Sequence, residues 1–479
     1  MLSRLGTALL CCVAFILPFE HKYDKIFRYF SKTLIPENLH LPASFDPKIY
    51  FYPSDLIAIG LIVLLSVLYI TKKLRISFES LWVYPKWFKN WHSGQRQSSQ
   101  NVNSWTILGI YLLLLPLLLL LSLLFSPCHH YPLFYIRLTE WCMPLFLLFC
   151  FTFFYQTSEA REKATCAVLG AFLLSALLQA SLGLAQYCQQ EPLGLRILSE
   201  PAHLSSFLPA NGGEKWIFDS PSPLRPLLRA TGTLPHANVL GGLLAASLLV
   251  SYFFFTLTPR LRLLLSFAIP LQFFVMLLTY SRSALFGWFL ATLFWFFYKK
   301  EKFSLWLIAL ILTSTAASCL ILHEQLLSRG GVFNYNSPAK ESDSMRLVYQ
   351  EKALNTIKEH PFFGVGFGQL PLQSASQNHS EVHNIYLYLA AESGLPALLL
   401  FLLFLASLAR QIFFSPPTPY LRTLASLLLL FLFIGGCDFY PLYSQQGRLF
   451  LFLSLALMLL HTQAKGSHRP LAGSYTFRE

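Results

Sequence analysis

An all-α polytopic integral membrane protein is what the sequence predicts, and three observations predict it. Hydrophobic residues make up 54% of the chain and charged residues only 12%, about half the charged share of an ordinary soluble domain. Apolar runs long enough to cross about 30 Å of hydrocarbon recur from end to end. The runs are continuous, without the alternation of a transmembrane β-barrel. A single multi-spanning domain is therefore expected over residues 1–479.

The expected spans are 4–20, 54–71, 105–126, 133–155, 165–187, 234–257, 263–281, 283–298, 303–322, 385–409, 421–437 and 448–462, about twelve transmembrane helices in all. The first is short, basic at its start and interrupted by Pro18, which also suits a signal peptide. No small-residue cleavage site follows it, and an uncleaved first helix is the better reading.

Lys and Arg beside short connections set the orientation. With both termini cytoplasmic, "TKKLR" (71–75), "SEAREK" (158–163), "TPRLR" (258–262), "YKKEK" (298–302) and the basic C-terminal tail all fall on one side. The segment 21–53, with Lys22, Lys25, Arg28 and Lys32, is the one basic stretch placed outside. Two long outer loops result, 188–233 and 323–384. The net charge of +13 is then partly topology and partly a means of binding anions. It is no nucleic-acid footprint, since no soluble domain carries a basic stripe with interleaved aromatics.

The nine cysteines are scattered, mostly within spans, and none has CxxC spacing, which argues against zinc. Cys128, Cys188 and Cys437 lie near the outer face, where two could pair; buried thiols acting as small hydrophobes are the default. "CHH" (128–130) lacks a third ligand at metal spacing, and "GVGFG" (364–368) follows a helix and Pro361, so it reads as a helix-stopping turn. No nucleotide motif is present, so the energy of any reaction must arrive with its substrate.

The polar residues that remain converge on the outer face. Arg229 opens "RATGTLPHANVLGG" (229–242), and Arg282 lies in "LTYSRSALFGW" (278–288), between two spans with almost no loop. Arg346 stands in "SDSMRLVYQEKALNTIKEHP" (342–361), a loop helix with Ser or Asp at its N-cap. His383 and Asn384 open the apolar run "HNIYLYLAAESGLP", in which Glu392 is embedded. Singly, each has a bland account. Arginines snorkel to interfaces, a lone histidine at a helix start is more often a structural hydrogen-bonder, and a carboxylate can bond to the next helix. Composition and topology alone leave an enzyme and a transporter both open.

Four of these stretches together resemble the O-antigen ligase and polymerase superfamily. "HNIYLYLAAESGLP" is similar to its H-N…E-x-G helix, and "RATGTLPHANVLGG" to its R-x-x-G-T-x-x-x-x-N element. "LTYSRSAL" resembles its S-R-[GS] junction, with Ser283 where glycine is frequent, and 345–370 resembles its R…P-x-x-G-x-G-x-G loop. The likeness covers 229–400; the N-terminal half matches in hydropathy alone.

The resemblance implies a fold like the C-type membrane glycosyltransferases, with a large periplasmic catalytic loop at 323–384 and a bacterial inner-membrane location. It implies a glycan moved from an undecaprenyl-diphosphate carrier to an acceptor hydroxyl on lipid A core, a growing glycan or a protein side chain. The enzyme would be inverting, with no metal and no cofactor. His383 would be the catalytic base, and Arg229, Arg282 and Arg346 would bind the donor diphosphate. Asn384 and Glu392 would support them, and the loop 200–223 would help to choose the acceptor. O-antigen polymerase and protein O-oligosaccharyltransferase are the alternatives within the family, and a rod-shape-type peptidoglycan polymerase is the nearest outside it. From a different class comes a lipid-linked glycan flippase or transporter, which would carry charges at mid-membrane and helices broken by paired Gly or Pro.

The topology is checked by cysteine labelling. Ala210→Cys and Lys340→Cys should react with an impermeant maleimide from the periplasm, and His92→Cys should not. Labelling of positions 92 and 340 from the same side would overturn the arrangement.

Overall fold

The computed structural model describes residues 158–195, 200–201, 206–207, 227–298, 304–323, 325–326, 338–370 and 382–462, with residues 118, 121–122 and 124–125. The expected spans 4–20, 54–71 and 133–155 lie outside the described residues, as does most of 105–126. Within them the architecture is helical, with one two-stranded antiparallel pairing, β1 (Ser206–Phe207) with β2 (Leu227–Leu228).

The helices are α1 (Ser158–Gln189), α2 (Ala237–Leu257), α3 (Arg262–Leu278), α4 (Arg282–Phe297) and α5 (Leu305–Ile321). They continue with α6 (Pro338–Glu359), α7 (Ile385–Ser393), α8 (Leu395–Phe414), α9 (Pro419–Cys437), α10 (Tyr440–Tyr443) and α11 (Gln445–Thr462). Five described helical stretches are long and apolar enough to cross a membrane: Arg161–Gln189, Ala237–Leu257, Pro259–Leu278, Leu395–Phe414 and Pro419–Cys437. Three shorter apolar helices, Arg282–Phe297, Leu305–Ile321 and Gln446–Thr462, accompany them.

The helix α2 is the hub. Of its most apolar window 94% is buried, and it packs against α1, α3, α4 and α9. Small residues allow this closeness, since lipid tails offer no hydrophobic drive between helices and contact must come from packing. A side chain on Gly241 would press on Thr279 and Ala284, and one on Gly242 would run into the Tyr440 hydroxyl. Polar pairs inside the bundle are mutually satisfied. Gln272 accepts from Ser247 at 2.6 Å and donates to Ser251 at 3.0 Å, and Trp288 donates to the Tyr252 hydroxyl at 3.0 Å. By contrast, only 17% of the α8 window is buried, the composition of a helix turned to lipid.

Two expectations change. The span expected at 385–409 is two helices, α7 and α8, broken at Gly394 with φ +87°. The loop helix expected to start at Ser or Asp within 342–361 begins earlier, at Pro338. The cause of the break is the loop that follows α6. Val365 N–H donates to Ala391 O at 3.0 Å, Gly366 N–H to Glu392 O at 2.9 Å, and Leu395 N–H to Pro361 O at 2.8 Å. Gly364, Gly366 and Gly368 all have positive φ, so the "GVGFG" stretch is a turn, held flat against the end of α7. Ser122 adds a hydroxyl bridging Phe363 O (2.7 Å) and Glu392 O (3.1 Å).

A Cβ on Gly394 would run into the Phe362 carbonyl. Gly394→Ala should therefore lower the thermal midpoint of the purified protein in detergent. The φ strain alone is worth about 1–3 kcal/mol. A wild-type midpoint in that variant would show that the loop does not lock the break.

Candidate functional site

The site is assembled where the first residues of α2 and α7 meet the last residues of α9. Its centre is a residue that sequence reasoning passed over. Asp438 caps the C-terminus of α9, with its backbone N–H donating to Ile434 O at 2.7 Å. Its side chain is 3% exposed, yet it is surrounded by donors. His383 Nδ1 stands 3.2 Å from Asp438 Oδ1, the Phe439 N–H donates to the same oxygen at 2.9 Å, and Asn238 Nδ2 donates to Oδ2 at 2.9 Å. Burial pushes the Asp438 carboxyl up. Hydrogen bonding and charge from His383, with the Arg346 guanidinium and Asn238, outweigh burial and hold it below the usual carboxylate range. The group is thus an anion at neutral pH. Its stabilising contribution is present above the ordinary carboxylate pKa and fades as pH falls through the lowered folded value.

His383 directly precedes α7, and its side chain is 25% exposed. An ionised carboxylate can only accept, so the proton between the two lies on Nδ1 in the neutral imidazole. That leaves Nε2 with a free lone pair, the tautomer a general base requires. The Phe439 ring lies edge-on to the imidazole, with centroids 5.4 Å apart, and steadies it from the side.

Asn384 has a structural task. It is the N-cap of α7, its Oδ1 accepting from Tyr386 N–H at 2.9 Å and Leu387 N–H at 3.1 Å. Its Nδ2 donates to Gly436 O at 3.1 Å. One amide thus satisfies two of the orphan donors of α7 and ties that end to α9 two residues before Asp438. A side chain on Gly435 would collide with Ile385, so this approach requires glycine.

The arginines divide by depth. Arg346 of α6 is half-buried, with Nη1 3.5 Å from the Cys437 carbonyl, and its charge reaches Asp438. Arg282 is the half-buried first residue of α4, one residue beyond the N-cap Ser281. Arg229 is 1% exposed, donating from Nε to Thr279 O at 2.8 Å and from Nη2 to Asn238 Oδ1 at 2.7 Å. Glu392 belongs elsewhere. It is fully buried in the last turn of α7, at the opposite end from His383, with the Tyr443 hydroxyl 3.5 Å from its Oε2.

The turn that carries Arg229 is clamped by α1. Gln186 Oε1 accepts from Gly232 N–H at 2.8 Å and Gln179 Oε1 from Thr233 N–H at 2.9 Å, two helical turns apart. Gln186 Nε2 in turn donates to Gly232 O at 2.8 Å and to Glu200 at 2.7 Å. Across the turn, Tyr280 is held at φ +49°, a left-handed conformation rare for a side-chain-bearing residue, with its hydroxyl 3.2 Å from that of Tyr187. Cys188 and Cys437 are free thiols, so they do not pair with each other, and Cys128 lies outside the described residues. Among the described residues, no group of three His, Cys, Asp or Glu could hold a metal ion.

Residues 266–402 match the family model described as O-antigen ligase. Over that stretch the chain is similar to the O-antigen ligase family. The match supports, in general terms, a function of the O-antigen ligase or polymerase type. Arg282, Arg346, His383, Asn384 and Glu392 fall inside the matched stretch; Arg229, Asn238 and Asp438 fall outside it. No curated protein matches the chain.

Asp438 was legible in one respect only: it is the sole acidic residue between Glu392 and Glu479. Asp438→Asn keeps the shape but lets an amide donor face Nδ1, which drives the proton to Nε2 and removes the basic lone pair. Glycan transfer should fall by about a hundred- to ten-thousandfold, with no recovery from pH 6 to 9, because the fault is tautomeric. Wild-type rates in this variant would dismiss the pair as a structural contact.

Proposed function

We propose that the protein transfers a glycan from an undecaprenyl-diphosphate carrier to an acceptor hydroxyl, on the periplasmic face of a bacterial inner membrane. The pairing of a partly exposed His383 with the buried Asp438 carboxylate carries this reading. Nε2 of His383 takes the proton from the acceptor hydroxyl as its oxygen attacks the anomeric carbon. The bond between that carbon and the phosphate oxygen breaks, with inversion, and undecaprenyl diphosphate leaves with the electron pair. The imidazolium formed is stabilised by Asp438 at 3.2 Å, as a buried carboxylate does for a histidine base.

Charge develops on the diphosphate as that bond breaks. Arg346 is half-buried beside Cys437, next to Asp438, and Arg282 is half-buried three residues beyond Thr279, whose carbonyl holds Arg229; a planar guanidinium binds such oxygens in pairs. These two are the donor-binding groups in this reading, and they perform the charge neutralisation that many sugar transferases assign to a metal. A lipid A core hydroxyl is the acceptor for a ligase; a glycan hydroxyl or a protein side chain serves the polymerase and O-oligosaccharyltransferase variants of the same step.

Reconstitution with a lipid-linked glycan donor and candidate acceptors, followed by mass spectrometry of the product, tests the reading. His383→Gln keeps size and one hydrogen bond but cannot take the proton, so transfer should fall about a hundred- to ten-thousandfold at wild-type abundance. Arg346→Lys should raise the donor KM, because a point charge does not replace a two-pronged donor. Efficient transfer by His383→Gln would reduce His383 to a positioning group, and product formation abolished by EDTA would replace the arginine account altogether.

A further inference from the structure

Sequence reasoning places Arg229 on the donor diphosphate, but the structure places it behind the base. Its guanidinium is 1% exposed and is engaged by the Thr279 carbonyl and by Asn238. Arginine has donors only, so the Asn238 atom facing it is the amide oxygen. This fixes the amide the other way round at its far side, with Nδ2 aimed at Asp438 Oδ2, 2.9 Å away. The backbone of Asn238 is held as well, its N–H donating to His236 Nδ1 at 3.0 Å at the N-cap of α2. We infer that Asn238 is a positioning residue. Held by the buried Arg229, it fixes the Asp438 carboxylate in the rotation that presents Oδ1 to His383.

The inference rests on His383 being the base. Asp438 has two oxygens and unequal duties for them. Oδ1 receives His383 and the Phe439 N–H, and Oδ2 receives Asn238. Without a donor on Oδ2, an almost wholly buried carboxylate would turn to satisfy that oxygen elsewhere, because an unmet charged acceptor is costly. The turn would carry Oδ1 off the imidazole. Arg229 matters because its planar guanidinium holds the Thr279 carbonyl and the Asn238 oxygen in one fixed fork; a partner without that fork, such as a lysine ammonium, would leave the Asn238 amide free to flip, which would set its oxygen against a carboxylate oxygen. The charged and titratable groups around this chain come from every neighbouring element. Arg229 precedes α2, His236 caps it, and Tyr280 lies at the junction before α4 with its phenol in the field of Arg229. Arg346 comes from α6, His383 from the start of α7, and Tyr440 from α10 beside Asp438.

Asn238→Asp tests the relay. It preserves size and the oxygen facing Arg229, and it replaces the donor to Asp438 with a second carboxylate oxygen. An added negative charge favours the imidazolium, so His383 should become neutral only at higher pH. Carbethoxylation by diethyl pyrocarbonate, resolved at His383 by peptide mass spectrometry across pH, reads this without any substrate. The midpoint should rise by about one pH unit, and kcat for glycan transfer should fall about ten- to a hundredfold with the donor KM unchanged. Arg229→Lys supplies an independent arm. It should lower kcat while undecaprenyl diphosphate binding, followed on the folded protein in nanodiscs, stays at the wild-type value; Arg346→Lys should weaken that binding. A wild-type carbethoxylation midpoint in Asn238→Asp, or weakened undecaprenyl diphosphate binding in Arg229→Lys, would overturn the relay. Normal transfer by His383→Gln would instead remove the base, and the carbethoxylation shift would still report whether the chain from Arg229 to His383 exists.

Discussion

One buried carboxylate constrains the whole site end of the bundle. Asp438 is nearly inaccessible and charged, and a desolvated anion is tolerated only where donors surround it. Those donors come from stretches far apart in the chain: Asn238 at the start of α2, His383 before α7, and Phe439 after α9. Arg346 from α6 adds its charge. Removing one member of such a set leaves an uncompensated charge, which typically costs about 3–5 kcal/mol. The same carboxylate therefore joins four segments and sets the tautomer of one imidazole, so stability and chemistry are not separable here. The supports behind it follow from this need. The two glutamines of α1 hold the turn that holds Arg229, and Asn384 ties α7 to α9 so that His383 arrives at the right height.

The membrane helices were legible because hydrocarbon demands long apolar runs, and each expected span from 165 onward has a helix. The break at Gly394 was not legible in the same way. Glu392 and Gly394 lie within an apolar run that resumes at once and reads as one span over 385–409, whereas the interruption arises from a positive φ and from backbone hydrogen bonds to a loop about thirty residues earlier. The G-x-G-x-G pattern at 364–368 was readable as a turn, but its partner was not, because a turn's sequence reports its own torsions and not the helix it rests on. His383 and Arg346 were singled out from their motifs, and both lie near Asp438. Asp438 itself sits in "CDFYP", which looks like any helix end. Its importance comes from the three strangers it meets. Asn238 was quoted as part of a motif without a task, since the task exists only once Arg229 is seen to occupy one side of the amide and Asp438 the other.

Glu392 is a different case. A carboxylate within an apolar helix invites a functional reading, here a role in support of His383. Nine residues along a short helix, however, place the two at opposite ends of α7. The backbone carbonyl of Glu392 receives the glycine loop, and the side chain is buried beside Tyr443. The residues of the "HN…ES-G" stretch thus perform three separate jobs: the imidazole meets Asp438, the amide caps the helix, and the acid end anchors the loop that positions α6 and Arg346.

The depths of the arginines follow the same logic. A guanidinium whose donors are taken by a carbonyl and an amide is a fixed element of the protein; it cannot also follow a phosphate that arrives, reacts and leaves. Arg229 is of this kind. A group that must strengthen its hold as charge develops has to be within reach of the substrate, and the half-buried Arg346 and Arg282 are more exposed than Arg229. Preorganised charge stabilises a transition state because it need not reorient when the bond breaks, and the inner and outer arginines share that property. The outer pair would act directly on a leaving diphosphate, while the inner arginine would act at one remove, by keeping still the carboxylate beside the proposed base.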